Sequence, residues 1–418
     1  MLARWLGLAA VVVTGAVLLS GCGGAASSEV AEATGGQLAI YSSLPLQGAN
    51  ATISQQIMGG EKLALADADG RAGAFKITPV WLDDANPKNG EWSPDVTATN
   101  AKTAAEDTST IAYIGDFNSP ATAVSLPIMN AAGVLQVSPS SPYEGLTSSI
   151  DAGQDEPGRF YLNPKRTFAR LQPGDVVQAA AQVRLMSSLG VKKLYVVDDQ
   201  DPFEIPLAEL VAADAVGAGI AVPAHDSIEA RAGSSFSGEV EKIVESKAQA
   251  VFFSGGGGTG TVELWRQLHS ADPQLLLLGS SAMASESFTS RIGTAAAETY
   301  LTTPVLPSSL YPSSGRHVLS DYVKRFGGEA GPYVLYGYEA MTVVLDAIRS
   351  AGAHGDDRTT VIDRLFATHN RESAIGRYSI LPNGETSLSS YGVDRVLDGR
   401  PVFYRQIDVG QRSAAAGG

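Results

Sequence analysis

Five histidines, His225, His269, His317, His354 and His369, are the side chains best suited to move protons or bind a transition metal near neutral pH, and they are scattered along the chain. None forms an H-x-H or H-E-x-x-H pattern, the one cysteine lies far away at Cys22, and no G-x-S-x-G turn offers an activated serine. A metal centre and a cofactor are therefore not expected. The acid pairs Asp83-Asp84 and Asp198-Asp199 look like glycosidase dyads on paper, but neighbours on a strand point to opposite faces, so capping and solvation explain them better. The run Gly255-Gly256-Gly257-Gly258-Thr259-Gly260 holds a formal G-x-G-x-x-G between a strand and a helix, the pattern of a pyrophosphate cradle. The next strand ends in Gly279-Ser280-Ser281 with no acid for a ribose, and the motif is not in the first unit of its sheet, so the dinucleotide reading fails. More productive is Ser119-Pro120 behind the apolar run Ile111–Ile114. It predicts a helix N-terminus at the carboxyl end of a strand, whose free N–H groups and positive dipole end suit a carboxylate, with the Ser119 hydroxyl as a further donor. The alternative is that Ser119 only caps its own helix.

Cys22 has its own chemistry. A charge at Arg4, an apolar run Trp5–Leu19 too short to settle across a bilayer, and Leu19-Ser20-Gly21-Cys22 read as a lipoprotein export signal over residues 1–21. Acylated Cys22 would carry two or more chains, enough for stable anchoring outside the cytoplasm. Residues 22–36 are small or acidic and read as a flexible linker. With no second cysteine there is no disulfide. A net charge of −14 without a basic stripe argues against nucleic acid. At 418 residues the chain exceeds what one hydrophobic core usually organises, so two lobes are expected.

The elements that would position these residues alternate, as in parallel α/β architecture. Strands are expected at Leu38–Tyr41, Lys76–Leu82, Ile111–Ile114 and Val134–Val137, with helices Ser54–Asp69, Asp95–Thr108 and Ser119–Ala132 between them. A second series has strands Lys193–Val197, Ile220–Pro223, Ala250–Ser254 and Gln274–Leu278, with helices near Asp175–Leu189, Pro206–Ala218, Phe236–Ser246 and Thr261–Ser270. Helices near Glu286–Ile292, Ser314–Phe326, Pro332–Ser350 and Arg358–Ala367 follow, with an extended run Glu298–Thr303. The tail turns to hairpins around Asn383-Gly384 and Asp398-Gly399.

The order Met58-Gly59-Gly60-Glu61-Lys62-Leu63-Ala64, Leu82-Asp83-Asp84, Tyr113-Ile114-Gly115 with Ser119, Val137-Ser138-Pro139-Ser140-Ser141 with Leu146-Thr147, and Gly331-Pro332-Tyr333-Val334 with Tyr338 and Ala340 resembles the type I periplasmic binding proteins, specifically the branched-chain amino-acid-binding proteins of ABC importers. The resemblance implies an α/β fold of two Rossmann-like lobes with parallel sheets, joined by a three-crossing hinge: 38–163 plus 304–367 as lobe one, 164–303 plus 368–410 as lobe two. It implies a ligand held by Gln47, Asn118, Ser119, Ser140 and Ser141 on one side and Phe203, Gly257 and Ser281 on the other, with Asp199 a candidate for an ammonium. Phe203 would cover the ligand or pack helix on sheet. Three departures bear on the ligand. Pro142 stands in place of a threonine, Ser281 in place of an acid, and Leu44-Pro45-Leu46-Gln47-Gly48 lacks the usual aromatic residue. The glycine run at 255–258 replaces an aromatic side chain and suggests room for a larger ligand.

The function that follows is an anchored, monomeric solute-binding protein that closes on an amino acid, small carboxylate or related compound and delivers it to ABC permease subunits. A ligand-sensing receptor subunit of the same fold is the alternative. A tethered hydrolase is the minor one.

Overall fold

The computed structural model describes residues 36–149 and 152–410. The export segment 1–21, Cys22 and all but the last residue of the 22–36 linker lie outside the described residues.

The first sheet is built from β1 (Gln37–Leu44), β2 (Arg71–Ala72), β3 (Phe75–Asp83), β4 (Thr110–Ile114), β5 (Leu135–Ser138) and β6 (Phe168–Arg170), in the order β2-β3-β1-β4-β5-β6. All neighbours are parallel except β2 and β3. A strand covered on both faces must be apolar on both. β4 is buried along its whole length, and Leu38 and Ile40 of β1 face one core while Ala39 and Tyr41 face another. Helices α1 (Ala51–Asp67), α2 (Pro94–Glu106) and α3 (Ser119–Ala131) connect these strands.

Helix α4 (Asp175–Ser188) opens the second lobe, followed by β7 (Leu194–Asp198), α5 (Ile205–Gly217), β8 (His225–Ser227), α6 (Ser237–Glu245), β9 (Ala250–Ser254), α7 (Thr259–Ala271), β10 (Leu276–Gly279), α8 (Glu286–Thr289) and β11 (Thr299–Thr303). The chain returns to the first lobe for α9 (Ser313–Phe326), α10 (Tyr333–Ala351), α11 (Arg358–Phe366) and the hairpin β12 (Arg371–Ser373) and β13 (Gly376–Tyr378). It then crosses back for β14 (Ser390–Leu397) and β15 (Arg400–Asp408), completing a second sheet ordered β15-β14-β11-β10-β9-β7-β8. Along β9 the alternation is explicit: Ala250 and Phe252 face α4 and α5, Val251 and Phe253 face α6 and α7.

Three expectations need correction. Ile220–Pro223 is not a strand: Pro223 has no N–H to give a ladder, only Ala221 bridges to Lys193, and the edge strand forms at His225–Ser227. Residues 168–170, placed with lobe two, pair in parallel with β5 of the first sheet. Ala374, Ile375, Tyr378 and Ile380, also placed with lobe two, pack into the core of the first because the 371–378 hairpin folds against α9 and α10.

The Met58-Gly59-Gly60 motif is explained by helix packing. Thirteen of the nineteen residues of α10 are buried, so it runs through the core, against α1. A Cβ on Gly337 would lie 1.9 Å from the Ile57 carbonyl oxygen, and one on Gly60 2.1 Å from that of Val334. The two helices meet backbone to backbone. Gly337→Ala is therefore expected to destabilise the first lobe by about 1–3 kcal/mol, read as a lowered denaturation midpoint in urea.

Candidate functional site

The strand-end loops of the two sheets meet. Behind β4 the chain passes Gly115 and Asp116 into α3, whose boundary residue Asn118 makes no side-chain cap. Its Nδ2 is buried with no hydrogen-bond partner among the described residues. Ser119 does not cap its helix either: its Oγ accepts from the Tyr143 N–H at 3.2 Å, which leaves the hydroxyl proton available. The α3 N-terminus thus keeps free donors at the carboxyl end of a buried strand, the arrangement that favours an anion.

The loop after β5 is shaped by its own hydroxyls. Ser138 Oγ donates to the Asp116 carbonyl at 2.7 Å, and Ser140 Oγ donates to Gln172 Oε1 at 2.9 Å. Ser141, in the left-handed region at φ 57°, is fully buried; its hydroxyl lies 2.7 Å from Thr122 Oγ1 and donates to the Asp116 carbonyl at 3.1 Å. Ser141 therefore builds the loop instead of facing the cleft. Gln47 is exposed and bonded through Nε2 to Asp83 Oδ2 at 2.7 Å, which ties the first loop to the end of β3.

Arg170, at the end of β6, holds this loop to the hinge. It is fully buried, and its five N–H donors reach the Ser141 and Tyr143 carbonyls, Thr147 Oγ1 and both oxygens of Glu385. Glu385 follows the Asn383-Gly384 turn on the last crossing. Glu144, beside Arg170, accepts from the Val176 N–H at 3.0 Å, and the Pro142 carbonyl accepts from the Asp175 N–H at 2.9 Å. Helix α4 of the second lobe is capped by residues of the first.

On the second lobe, Phe203 neither stacks helix on sheet nor lies open. Its ring meets Tyr143 across the cleft, with centroids 5.0 Å apart and planes at 74°. Asp198 is held below the usual carboxylate range: burial opposes its charge, but hydrogen bonds from His225, the Gln200 N–H and Ser227 outweigh it. Asp199 accepts from the Asp201 and Gly256 N–H groups, pinning the glycine loop. The space expected at that loop is divided: a Cβ on Gly255 would meet the Asp199 carboxylate at 2.5 Å and one on Gly257 would meet Phe288 at 2.9 Å, while Gly256 and Gly258 have nothing within 4 Å of theirs. The Ser281 N–H donates to Gln178 Oε1 at 2.8 Å. Ser119 thus lies with Tyr143, and Ser140 with Gln172, on one lobe, and Phe203 reaches Tyr143 from the other.

The family model described as periplasmic binding protein matches residues 42–395. The chain belongs to the periplasmic binding protein family. It is of the type I kind, whose members bind solutes and are not enzymes. The binding protein is 27% identical over 397 residues to Leu/Ile/Val-binding protein homolog 3 of Brucella melitensis, covering 92% of this chain and 98% of that one. In fold it is similar to a leucine-binding protein of Thermotoga maritima (TM-score 0.73, 21% identity, covering 89% of this chain and 99% of that one). It is also similar to an R. palustris solute-binding protein in complex with benzoate (TM-score 0.69, 15% identity, 90% and 99%).

Among the described residues of the binding protein, no group of three His, Cys, Asp or Glu could hold a metal, and no helix is long and apolar enough to cross a membrane. Cavities of 360 and 310 Å³, one lined by Thr259, Arg266 and Arg291 and one by Asp67, His317 and Arg371, include none of the eight expected ligand residues. An aromatic wall that sequence reasoning missed stands beside the α3 N-terminus: Phe117 and Tyr333, centroids 6.0 Å apart, pack with Leu46 and Ile53. Its signal was present, because Phe117 directly precedes Asn118 and Tyr333 belongs to the Gly331-Pro332-Tyr333-Val334 motif.

Beneath the first-lobe rim lies a group of buried acids. Asp116 accepts from Tyr113 Oη at 2.9 Å and from Ser125 Oγ, and burial pushes it to about 7 against those bonds. Asp84 neither caps nor is solvated, as the sequence suggests for the acid pairs; it is fully buried, both its oxygens lack partners among the described residues, and burial, then Asp116 and Asp83, push it to about 8. The folded carboxyl keeps its proton to about pH 8, while an unfolded aspartate releases it near 3.8, so the native state loses stability as pH climbs through that window. Asp84→Asn removes that loss. Its melting temperature should exceed the parent's at pH 8 by about 2–4 °C for each kcal/mol recovered, and the gain should vanish towards pH 4.

Proposed function

We propose that the chain is an extracytoplasmic, lipid-anchored binding protein that captures one small amphipathic carboxylate, an amino acid or an aromatic acid, between its lobes and delivers it as a monomer to the permease of an ABC importer. The observation that carries this reading is the meeting of Tyr143 and Phe203, which brings the strand ends of both sheets together beside the open N-terminus of α3. Parallel sheets bind ligands outside their carboxyl ends, and two such ends facing each other form jaws. The free donors of α3, Asn118 and Ser119 suit a carboxylate, and Phe117 and Tyr333 suit an apolar body. Leucine and benzoate, for which the two similar structures are named, share both features. The sequence Leu19-Ser20-Gly21-Cys22 supports the anchor.

Contacts from both lobes exist only when the jaws are shut, so a ligand shifts that equilibrium by its differential affinity. Thermal melts of the full chain in detergent, with leucine, phenylalanine, benzoate and other small carboxylates, should show stabilisation of roughly 2.7 kcal/mol for a true ligand at about a hundred times its Kd. Dyes on the outer helices of the two lobes should approach on binding. No stabilisation by any of these acids, or an unchanged dye distance with one that binds, counts against the reading. Asn118→Ala should weaken binding of that carboxylate about tenfold by calorimetry and leave the ligand-free melt in place. Cys22→Ala should move the chain out of the membrane fraction.

A further inference from the structure

We infer that the 360 Å³ cavity of the second lobe is an anion site that takes a doubly charged phosphoryl group, separate from the solute held between the lobes. Its walls come from three segments that follow strand ends: the loop after β8 supplies Ser234, α7 supplies Thr259 and Arg266, and the turn after α8 supplies Arg291. These segments are fixed to one another. A Cβ on Gly260 would lie 2.2 Å from the Ala230 carbonyl oxygen, so the loop after β8 rests backbone to backbone on α7. Arg291 Nη2 donates to Thr259 Oγ1 at 3.0 Å, and Arg266 Nη2 donates to the Arg291 carbonyl.

Two like charges are thereby held on one cavity. Neither guanidinium has an ion pair among the described residues, although the chain carries a net charge of −14 and acids to pair them with are plentiful. Each spends one nitrogen on a neutral acceptor, and its other two nitrogens have no partner among the described residues. Glu263 also lines the cavity, but its Oε1 accepts from Gln267 Nε2 at 2.8 Å and it pairs with neither arginine. Thr259 Oγ1 accepts from Arg291, which leaves the hydroxyl proton for the same anion. Guanidinium forks match phosphate oxygens in pairs, and a dianion neutralises both arginines where a single carboxylate neutralises one. The volume falls in the range of about 300–1,000 Å³ typical of small-molecule sites, which leaves room beside the phosphoryl group for a small organic body.

The test is calorimetry on the full chain in detergent and phosphate-free buffer, with inorganic phosphate and glycerol phosphate as probes and sodium chloride at equal ionic strength as the comparison. At least one phosphate probe should bind saturably, one per chain, and chloride should not. Tighter binding of glycerol phosphate assigns the site to a phosphate ester, and equal or tighter binding of inorganic phosphate assigns it to the free ion; both support the site. Arg266→Gln and Arg291→Gln should each weaken that binding about tenfold, while Asn118→Ala in the cleft leaves it unchanged. If the glutamine variants do not fold, Arg291→Lys, which keeps the charge and loses the fork, should weaken it severalfold. A parent that binds neither probe, arginine variants that bind as the parent does, or a loss of phosphate binding in Asn118→Ala overturns the site.

Discussion

The arrangement of the cleft depends on one buried guanidinium. Arg170 sits at full burial with every N–H donor satisfied, and without such partners a charge in that position would be prohibitive. Its partners lie on three separate stretches: the loop after β5 through the Ser141 and Tyr143 carbonyls, the short helical turn through Thr147, and the last crossing through Glu385. Glu144, raised to about 8 by burial and then by Glu385 while Arg170 pulls the other way, carries the same network to the first turn of α4. The loop after β5 and the last crossing are thereby one bonded unit.

Much of the frame was legible in the sequence because its physics is local. Strands covered on both faces must be apolar throughout, so Ala250–Ser254 and the run ending at Ile114 stand out. Ser119-Pro120 marked the start of α3 because proline at the second position of a helix costs no hydrogen bond. What failed was short or depended on partners far along the chain. A three-residue strand such as Phe168–Arg170 has too little alternation to read, and its pairing with β5 spans some thirty positions. Pro223 turned an apolar run into an edge connection.

For the site, residue types and loops were legible, but side-chain directions were not. Ser140 and Ser141 are adjacent hydroxyls, yet the left-handed backbone at Ser141 turns its Oγ inwards. Alternation along β3 separates Asp83 from Asp84, but nothing local shows that Asp84 enters the core while Asp83 pins Leu46 and Ala85. Phe203 is aromatic in any reading; its meeting with Tyr143 depends on how two lobes sit together.

The threading of the chain also dictates an order of assembly. Helix α10, the central packing partner of α1, is made only after the whole of 175–303, and the second sheet waits for β14 and β15. Neither lobe has its full core until the chain has emerged past about residue 390, and pairings this remote in sequence are slow to form. A nascent polypeptide of this kind stays incompletely folded for nearly all of its synthesis.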